Sequence, residues 1–285
     1  MTDVAQAFVP GHVTGFFTVE RDDDPTLAGS TGAGLVLTDG VTVTVRRAEQ
    51  SGVYLGGAEV EMAAVERTLD ALRVTAEVRG TTDLPAGTGF GVSGAMALGA
   101  ALGANAVFER GLSMYELATV AHGAEVQAGT GLGDVVAQRH GGAPIRLEPG
   151  SPQHNKMDAI PERGRVEYLV QGELPTSEVI SGDTDPLGPP GRQALSDLVQ
   201  GPTLETFMRA SRTFARETGL LTEWVRDVVT DVSDAGGDAT MGMLGETVVA
   251  LDTGLSDAGY DPAVCQVDPT GATVLSPPGD PAPAE

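Results

Sequence analysis

The sequence predicts an α+β fold in two domains, and three observations lead there. Strand and helix patterns interleave without the regular strand–helix–strand rhythm of a doubly wound sheet. A chain of 285 residues, 41% hydrophobic, can bury a sizeable core and suits two domains or one large one. A polar, turn-rich stretch from Pro149 to Asn155 marks the boundary. The expected division is an N-terminal domain over 1–153, a C-terminal domain over 154–276 and a proline-rich, disordered tail over 277–285.

Residues 4–19 alternate apolar and polar and predict a first strand, broken in the run Val9-Pro10-Gly11-His12-Val13-Thr14-Gly15-Phe16-Phe17. Gly29 to Gly34 is a loop of small residues. A hairpin follows, Gly34–Leu37 and Val41–Arg46, with Asp39-Gly40 as its two-residue turn. Met62, Val65, Leu69 and Leu72 recur at helical spacing and predict an amphipathic helix from Val60 to Arg73. Val74, Ala76 and Val78 alternate as a strand.

That strand leads into the stretch around which the chain is organised, Asp83 to Asn105. Its first half places glycines at 87, 89 and 91 and ends in Ser93; its second half is small, apolar and free of proline, which predicts a buried helix. A glycine loop feeding a helix N-terminus is suited to anions, because unpaired backbone N–H groups and the positive end of the dipole coincide. Ser93 falls where an N-cap hydroxyl belongs, free to cap the helix or to contact a phosphate-bound metal. The Walker loop is excluded, since it needs Gly-Lys-Ser/Thr and the single lysine is Lys156. The dinucleotide fingerprint fails too, because Glu109, at about the required distance, ends a helix. A turn before a close-packed helix is the alternative.

Ser113-Met114-Tyr115-Glu116 is a capping box opening a helix to about Gln127, on which His122 and Glu125 share a face. Asp134 closes a glycine-rich turn from Gly129, then Gly141-Gly142 precedes a short strand through Ile145 and Arg146. The second half reads as a strand near Val166–Gln171, the segment Leu174–Ile180, and helices at about 190–200, 203–218 and 222–235. Met241-Gly242-Met243-Leu244-Gly245 comes next, followed by strands through Thr247–Leu251 and Val264–Val267.

Forty acidic residues against 17 basic ones give a net charge of −23. Such a surface repels nucleic acid and anionic membranes. The acids are scattered, so they form no acidic tail, and they predict adaptation to high salt, which screens self-repulsion. An anionic substrate must then be held by a few local arginines and backbone amides. Cys265 is the single cysteine, which leaves no disulfide or thiolate zinc site within the chain. With no long apolar run and no basic signal-peptide start, the expected location is cytoplasmic.

The N-terminal half thus offers a phosphate loop, a carboxylate on a helix (Glu125) and a carboxylate in a glycine turn (Asp134), the parts that phosphoryl transfer requires. Taken singly, each has an ordinary reading: Glu125 a solvated acid, Asp134 a turn residue or helix cap, His122 a packed histidine.

Pro85-Ala86-Gly87-Thr88-Gly89-Phe90-Gly91-Val92-Ser93-Gly94-Ala95 resembles the phosphate loop of the GHMP kinases, the superfamily of galactokinase, homoserine kinase and mevalonate kinase. Val9-Pro10-Gly11-His12-Val13 looks like its N-terminal motif, and Glu125 followed by Gly131-Leu132-Gly133-Asp134 and Gly141-Gly142 looks like its metal-ligand and catalytic segment. His122-Gly123-Ala124-Glu125, Gly129 to Gln138 and Met243-Leu244-Gly245-Glu246-Thr247-Val248 resemble the archaeal pantoate kinases over nearly the whole chain. The acidic, arginine-biased composition is what a haloarchaeal member would have.

The resemblance implies the two-domain GHMP kinase fold with its active site in the interdomain cleft. It also implies ATP and Mg²⁺ as cofactors, pantoate as the small-molecule substrate and a homodimer. By position, Pro85, Gly87, Thr88, Gly89, Gly91, Ser93 and Gly94 would bind nucleotide, Ser93 and Glu125 the metal, and Asp134 the acceptor hydroxyl. Ser30, His122, Arg146 and Thr176 match positions lining the acceptor pocket, and a guanidinium at 146 independently suits a carboxylate. The first serine of the usual loop pair is Val92 here, His12 stands where several relatives have lysine, and Gly242-Met243-Leu244-Gly245 keeps part of the third motif. Two other readings stand beside this one: a GHMP kinase for another hydroxy acid or alcohol such as homoserine or mevalonate, and a non-catalytic nucleotide- or metabolite-binding regulator.

Overall fold

The computed structural model describes residues 3–173 and 182–275, so Thr176, the segment Leu174–Ile180 and the tail over 277–285 lie outside the described residues. Two sheets carry the α+β fold. The larger is built from β1 (Val4–Phe17), β2 (Gly32–Arg47), β3 (Gly52–Leu55), β4 (Ala58–Glu59), β5 (Ala76–Thr81), β6 (Ala143–Glu148), β7 (Lys156–Ile160) and β12 (Thr273–Leu275). Its order is β12-β1-β2-β5-β3-β4, with β6 pairing both β2 and β7. The smaller sheet has the order β11-β8-β10-β9, from β8 (Arg165–Glu173), β9 (Ala239–Gly242), β10 (Gly245–Leu251) and β11 (Ala263–Gln266), all antiparallel.

α1 (Ala63–Leu72) packs against α2 (Val92–Val107) and α3 (Met114–Ala128), and α2 and the short α4 (Asp134–His140) lie directly on the larger sheet. The small-residue composition of α2 has a packing cause. A Cβ at Gly103 would sit 2.5 Å from a Val45 methyl, so the helix axis lies close against β2. α3 opens on the expected capping box, with Ser113 and Glu116 exchanging hydrogen bonds. α5 (Gly188–Gln200) packs on α6 (Leu204–Glu217) and against β1 and β2, while α7 (Glu223–Asp234) and α8 (Gly254–Asp257) lie on the smaller sheet. Threonine side chains cap α6 and α7 (Thr203 and Thr222). α6 spans the two sheets, touching β1 and β9, and sets Phe207 and Phe214 against Phe16 and Phe17. One buried apolar cluster runs through both halves.

Two expectations fail. The Asp39-Gly40 hairpin does not exist: β2 runs unbroken through both residues. Gly40 is needed for closeness, since a Cβ there would strike the Val9 carbonyl on the neighbouring strand. The break in the first strand is also absent, because β1 absorbs Pro10-Gly11 and Thr14–Phe16 as irregularities in register with β2. The first of these leaves the His12 N–H to bond the Phe90 carbonyl in the glycine loop, at 3.0 Å.

The sheets meet near that loop. Tyr168 of β8 donates to Asp39 Oδ2 of β2 at 2.8 Å, and its ring meets Phe90 edge-on at 5.0 Å. No helix among the described residues is long and apolar enough to cross a membrane.

Candidate active site

The glycine loop is held by its carbonyls. Phe90 accepts from the His12 amide, Gly91 from Gln138 Nε2 at 2.8 Å and Thr88 from the Thr247 hydroxyl at 2.7 Å. Gly87, Gly89 and Gly91 have φ of 76°, 88° and 63°, the left-handed region that suits glycine. Gly91 is the N-cap of α2, and no side chain caps the helix. Ser93 is therefore not the cap, as the sequence predicts, but the second helical residue, so its hydroxyl is not spent on capping. The first-turn N–H groups of α2 keep the anion-binding capacity expected of this loop.

Glu125, on the last turn of α3, is 2% exposed. Its Oε1 accepts the Thr130 hydroxyl at 2.8 Å, while Oε2 is buried without a partner. Burial, reinforced by the Asp134 charge, pushes its carboxyl up to about 7 against the pull of the Thr130 hydrogen bond and the nearby Ser93 hydroxyl. A buried carboxyl with an orphaned oxygen, next to a serine hydroxyl and a phosphate loop, fits a hard cation. Among the described residues no group of three His, Cys, Asp or Glu could hold a metal. Ser93 and Glu125 therefore suit a cation that takes its remaining ligands from an anion and water.

Asp134 opens α4, a helix too short to show its period in sequence. Its Oδ1 lies 2.8 Å from Nδ1 of His12, which is wholly buried. Burial raises the Asp134 carboxyl, but the hydrogen bond to His12 and the charge of Arg146 outweigh it, and the net shift is downward. The carboxylate stays ionised, with its side chain 23% exposed.

Arg146 comes from β6 and is 2% exposed, with Nε and one terminal nitrogen unpartnered. Burial lowers the guanidinium to about 10 against the attraction of Asp134. A Cβ at Gly133 would lie 2.6 Å from Ser30 Oγ and 2.7 Å from Arg146 Nε, so glycine there lets the three approach. Ser30, Asp134 and Arg146 line one small cavity together with Phe17, Leu132 and Leu244. Unsatisfied buried donors beside a carboxylate and apolar walls can hold a small hydroxy acid.

The site thus brings together Ser93, Glu125, Asp134, Ser30 and Arg146. His122 does not line the cavity, contrary to expectation: it is buried, its Nε2–H donating to the Ala28 carbonyl at 2.9 Å, and burial lowers its pKa so that it stays neutral. It supports the loop that carries Ser30. Gln138, Thr130, Thr247 and Leu244 complete the arrangement. A glutamine four residues after Asp134, on the same helical face, is the signal available for Gln138; for Thr247 and Leu244, remote in the chain, spacing offers none.

A glycine loop on a helix N-terminus, one buried and one half-buried carboxylate and a small cavity where the two sheets meet define a small-molecule kinase of the GHMP class. Residues 59–142 match the family described as GHMP kinases N terminal domain. The chain belongs to the pantoate kinase family. It is 32% identical to the pantoate kinase of Methanocaldococcus jannaschii over 86% of this chain and 91% of the relative. It is 36% identical to that of Methanospirillum hungatei over 86% of each. Among solved structures, a phosphotransferase related to the CoA biosynthesis pathway superposes with a TM-score of 0.85 at 28% identity, covering 95% of this chain and 98% of that one. A homoserine kinase from Cytophaga hutchinsonii shares the fold, with a TM-score of 0.68 at 18% identity over 96% of this chain and 98% of that one.

Proposed function

We propose that the chain transfers the γ-phosphoryl group of ATP to the primary hydroxyl of pantoate, giving 4-phosphopantoate and ADP on a route to coenzyme A. The observation that carries this reading is the pairing of Asp134 with the buried, under-bonded Arg146 on one small cavity beside the phosphate loop. One end is equipped for a hydroxyl and the other for a carboxylate, and pantoate has both. Family membership supports the same substrate.

In this reading the amides of Gly87–Gly94 cradle the phosphates, and Ser93 and Glu125 hold Mg²⁺. When bound, the metal neutralises phosphate charge. Arg146 pairs with the pantoate carboxylate and Ser30 donates to it, which places the far hydroxyl at Asp134. Asp134, ionised and held by His12, orients that hydroxyl and takes its proton as the new P–O bond forms and the bond to ADP breaks. Thr176 joins the acceptor pocket as a proposal from the family pattern alone.

We place the domains at 1–153 and 154–276, the first extended by β7 and β12, which pair into its sheet. A haloarchaeal source, a cytoplasmic location and a homodimer go with this proposal.

Coupled ADP release in molar KCl, with Mg²⁺-ATP and a panel of pantoate, pantothenate, homoserine and mevalonate, tests it. Turnover confined to pantoate is the expected result. Turnover confined to another acceptor removes the substrate, and ATP binding without any turnover moves the reading to a regulator.

A further inference from the structure

Four non-glycine residues among those described have positive φ: Arg73, Glu109, Leu244 and Asp252. Three are polar residues just beyond helix or strand ends. Leu244, at φ 68°, is the apolar one, and a side chain in this region is disfavoured by its own Cβ. It sits in the short turn between β9 and β10, with Gly242 and Gly245 on either side. A leucine kept where glycine or asparagine is cheaper points to work done by the side chain.

The turn is pinned from both sides. The Met243 N–H donates to the Thr14 carbonyl at 2.8 Å, and Gly245 packs so closely on Thr88 that a Cβ there would strike its carbonyl. With its backbone fixed, the half-buried Leu244 side chain lines the cavity of Asp134 and Arg146, where Phe17 and Leu132 are the other large apolar groups. Those two belong to the N-terminal half, whereas Leu244 arrives from the smaller sheet.

Pantoate carries two methyl groups on the carbon between its reacting hydroxymethyl group and the carbon next to the carboxylate. If Asp134 takes the hydroxyl and Arg146 the carboxylate, those methyls fall between them. We propose that Leu244 is a specificity-determining residue that closes the acceptor cavity over the dimethyl carbon, opposite Phe17 and Leu132. This rests on the pantoate reading given above.

The test compares kcat/KM for pantoate with that for 2,4-dihydroxybutanoate, which lacks the two methyls, in the wild type and in Leu244→Gly, Leu244→Asn and Leu244→Met. A methyl group in an apolar pocket is worth about tenfold or more in such a ratio. Leu244→Gly is expected to lower the preference for pantoate at least about tenfold, through loss on pantoate, with the ATP KM unchanged. Leu244→Met should retain most of the preference. Asparagine tolerates the same backbone, so Leu244→Asn provides the comparison if the glycine variant does not fold. An unchanged ratio, or an equal loss on both acceptors with a raised ATP KM, overturns the proposal and leaves pantoate as the substrate. Absence of pantoate turnover in the wild type overturns both.

Discussion

His12 and Asp134, 122 positions apart, meet through Nδ1 and Oδ1 at 2.8 Å inside the site. Burial lowers the pKa of the ring against the opposing pull of the carboxylate, so His12 is neutral and its Nδ1–H donates to Asp134. The other nitrogen, Nε2, is buried without a partner. Where several relatives place a lysine charge, this chain places an uncharged donor that fixes one carboxylate oxygen and leaves the other outside that bond. The positive charge near Asp134 comes from Arg146 instead.

An asparagine amide reaches nearly the position of Nδ1, whereas glutamine reaches that of Nε2. His12→Asn should therefore keep kcat within about tenfold, and His12→Gln and His12→Leu should each lower it by about 10²-fold. KM for both substrates should barely move. Equal losses in all three variants would reduce His12 to a packing role.

Glu125 predicts a pH dependence of stability in the metal-free protein. Its folded pKa, about 7, lies above the ordinary 4.5, so the folded state binds the proton more tightly. Stability from this group is full below about 4.5 and falls as pH rises to about 7. The loss is on the order of 3 kcal/mol for a shift of this size. Glu125→Gln removes the titration, so its Tm should exceed that of the wild type at pH 8 and match it at pH 4, while turnover collapses. An equal Tm difference at both pH values would show that burial of the charge is not the cause.

Gly133→Ala tests the acceptor end without replacing a charged residue. The new Cβ would press on Arg146 Nε and Ser30 Oγ. The expected result is a pantoate KM raised by about tenfold or more, as one misplaced group costs, with the ATP KM unchanged. An unaltered pantoate KM would put the carboxylate contact elsewhere.

What the sequence made legible was set by local backbone demands. Glycines at 87, 89 and 91 announce left-handed geometry, and the Ser113 box announces a helix start, because in each case neighbours in the chain decide the structure. Asp39-Gly40 misled for the same reason: the pair is a turn signal locally, but the glycine serves a strand in contact. β3, β4, β7 and β12 are too short for alternation to stand out. The carboxylates were readable through their motif. The partners that make them work, His12 for Asp134 and Thr130 for Glu125, depend on how the chain closes in space.

Thr247 carries the last prediction, because it joins the smaller sheet to the phosphate loop. Its hydroxyl, buried, donates to the Thr88 carbonyl from 159 positions away. Thr247→Val keeps the shape and removes that donor, at a cost of about 1–3 kcal/mol where a buried carbonyl is left short. If the bond only ties the halves together, Tm falls and kinetics do not change. If it sets the loop, as the close fit of Gly245 against Thr88 argues, the ATP KM also rises while the pantoate KM stays constant. Differential scanning fluorimetry and initial rates on one preparation separate these outcomes. The expected one is a several-fold higher ATP KM, since each loop amide that drifts from its phosphate weakens a charge-assisted bond.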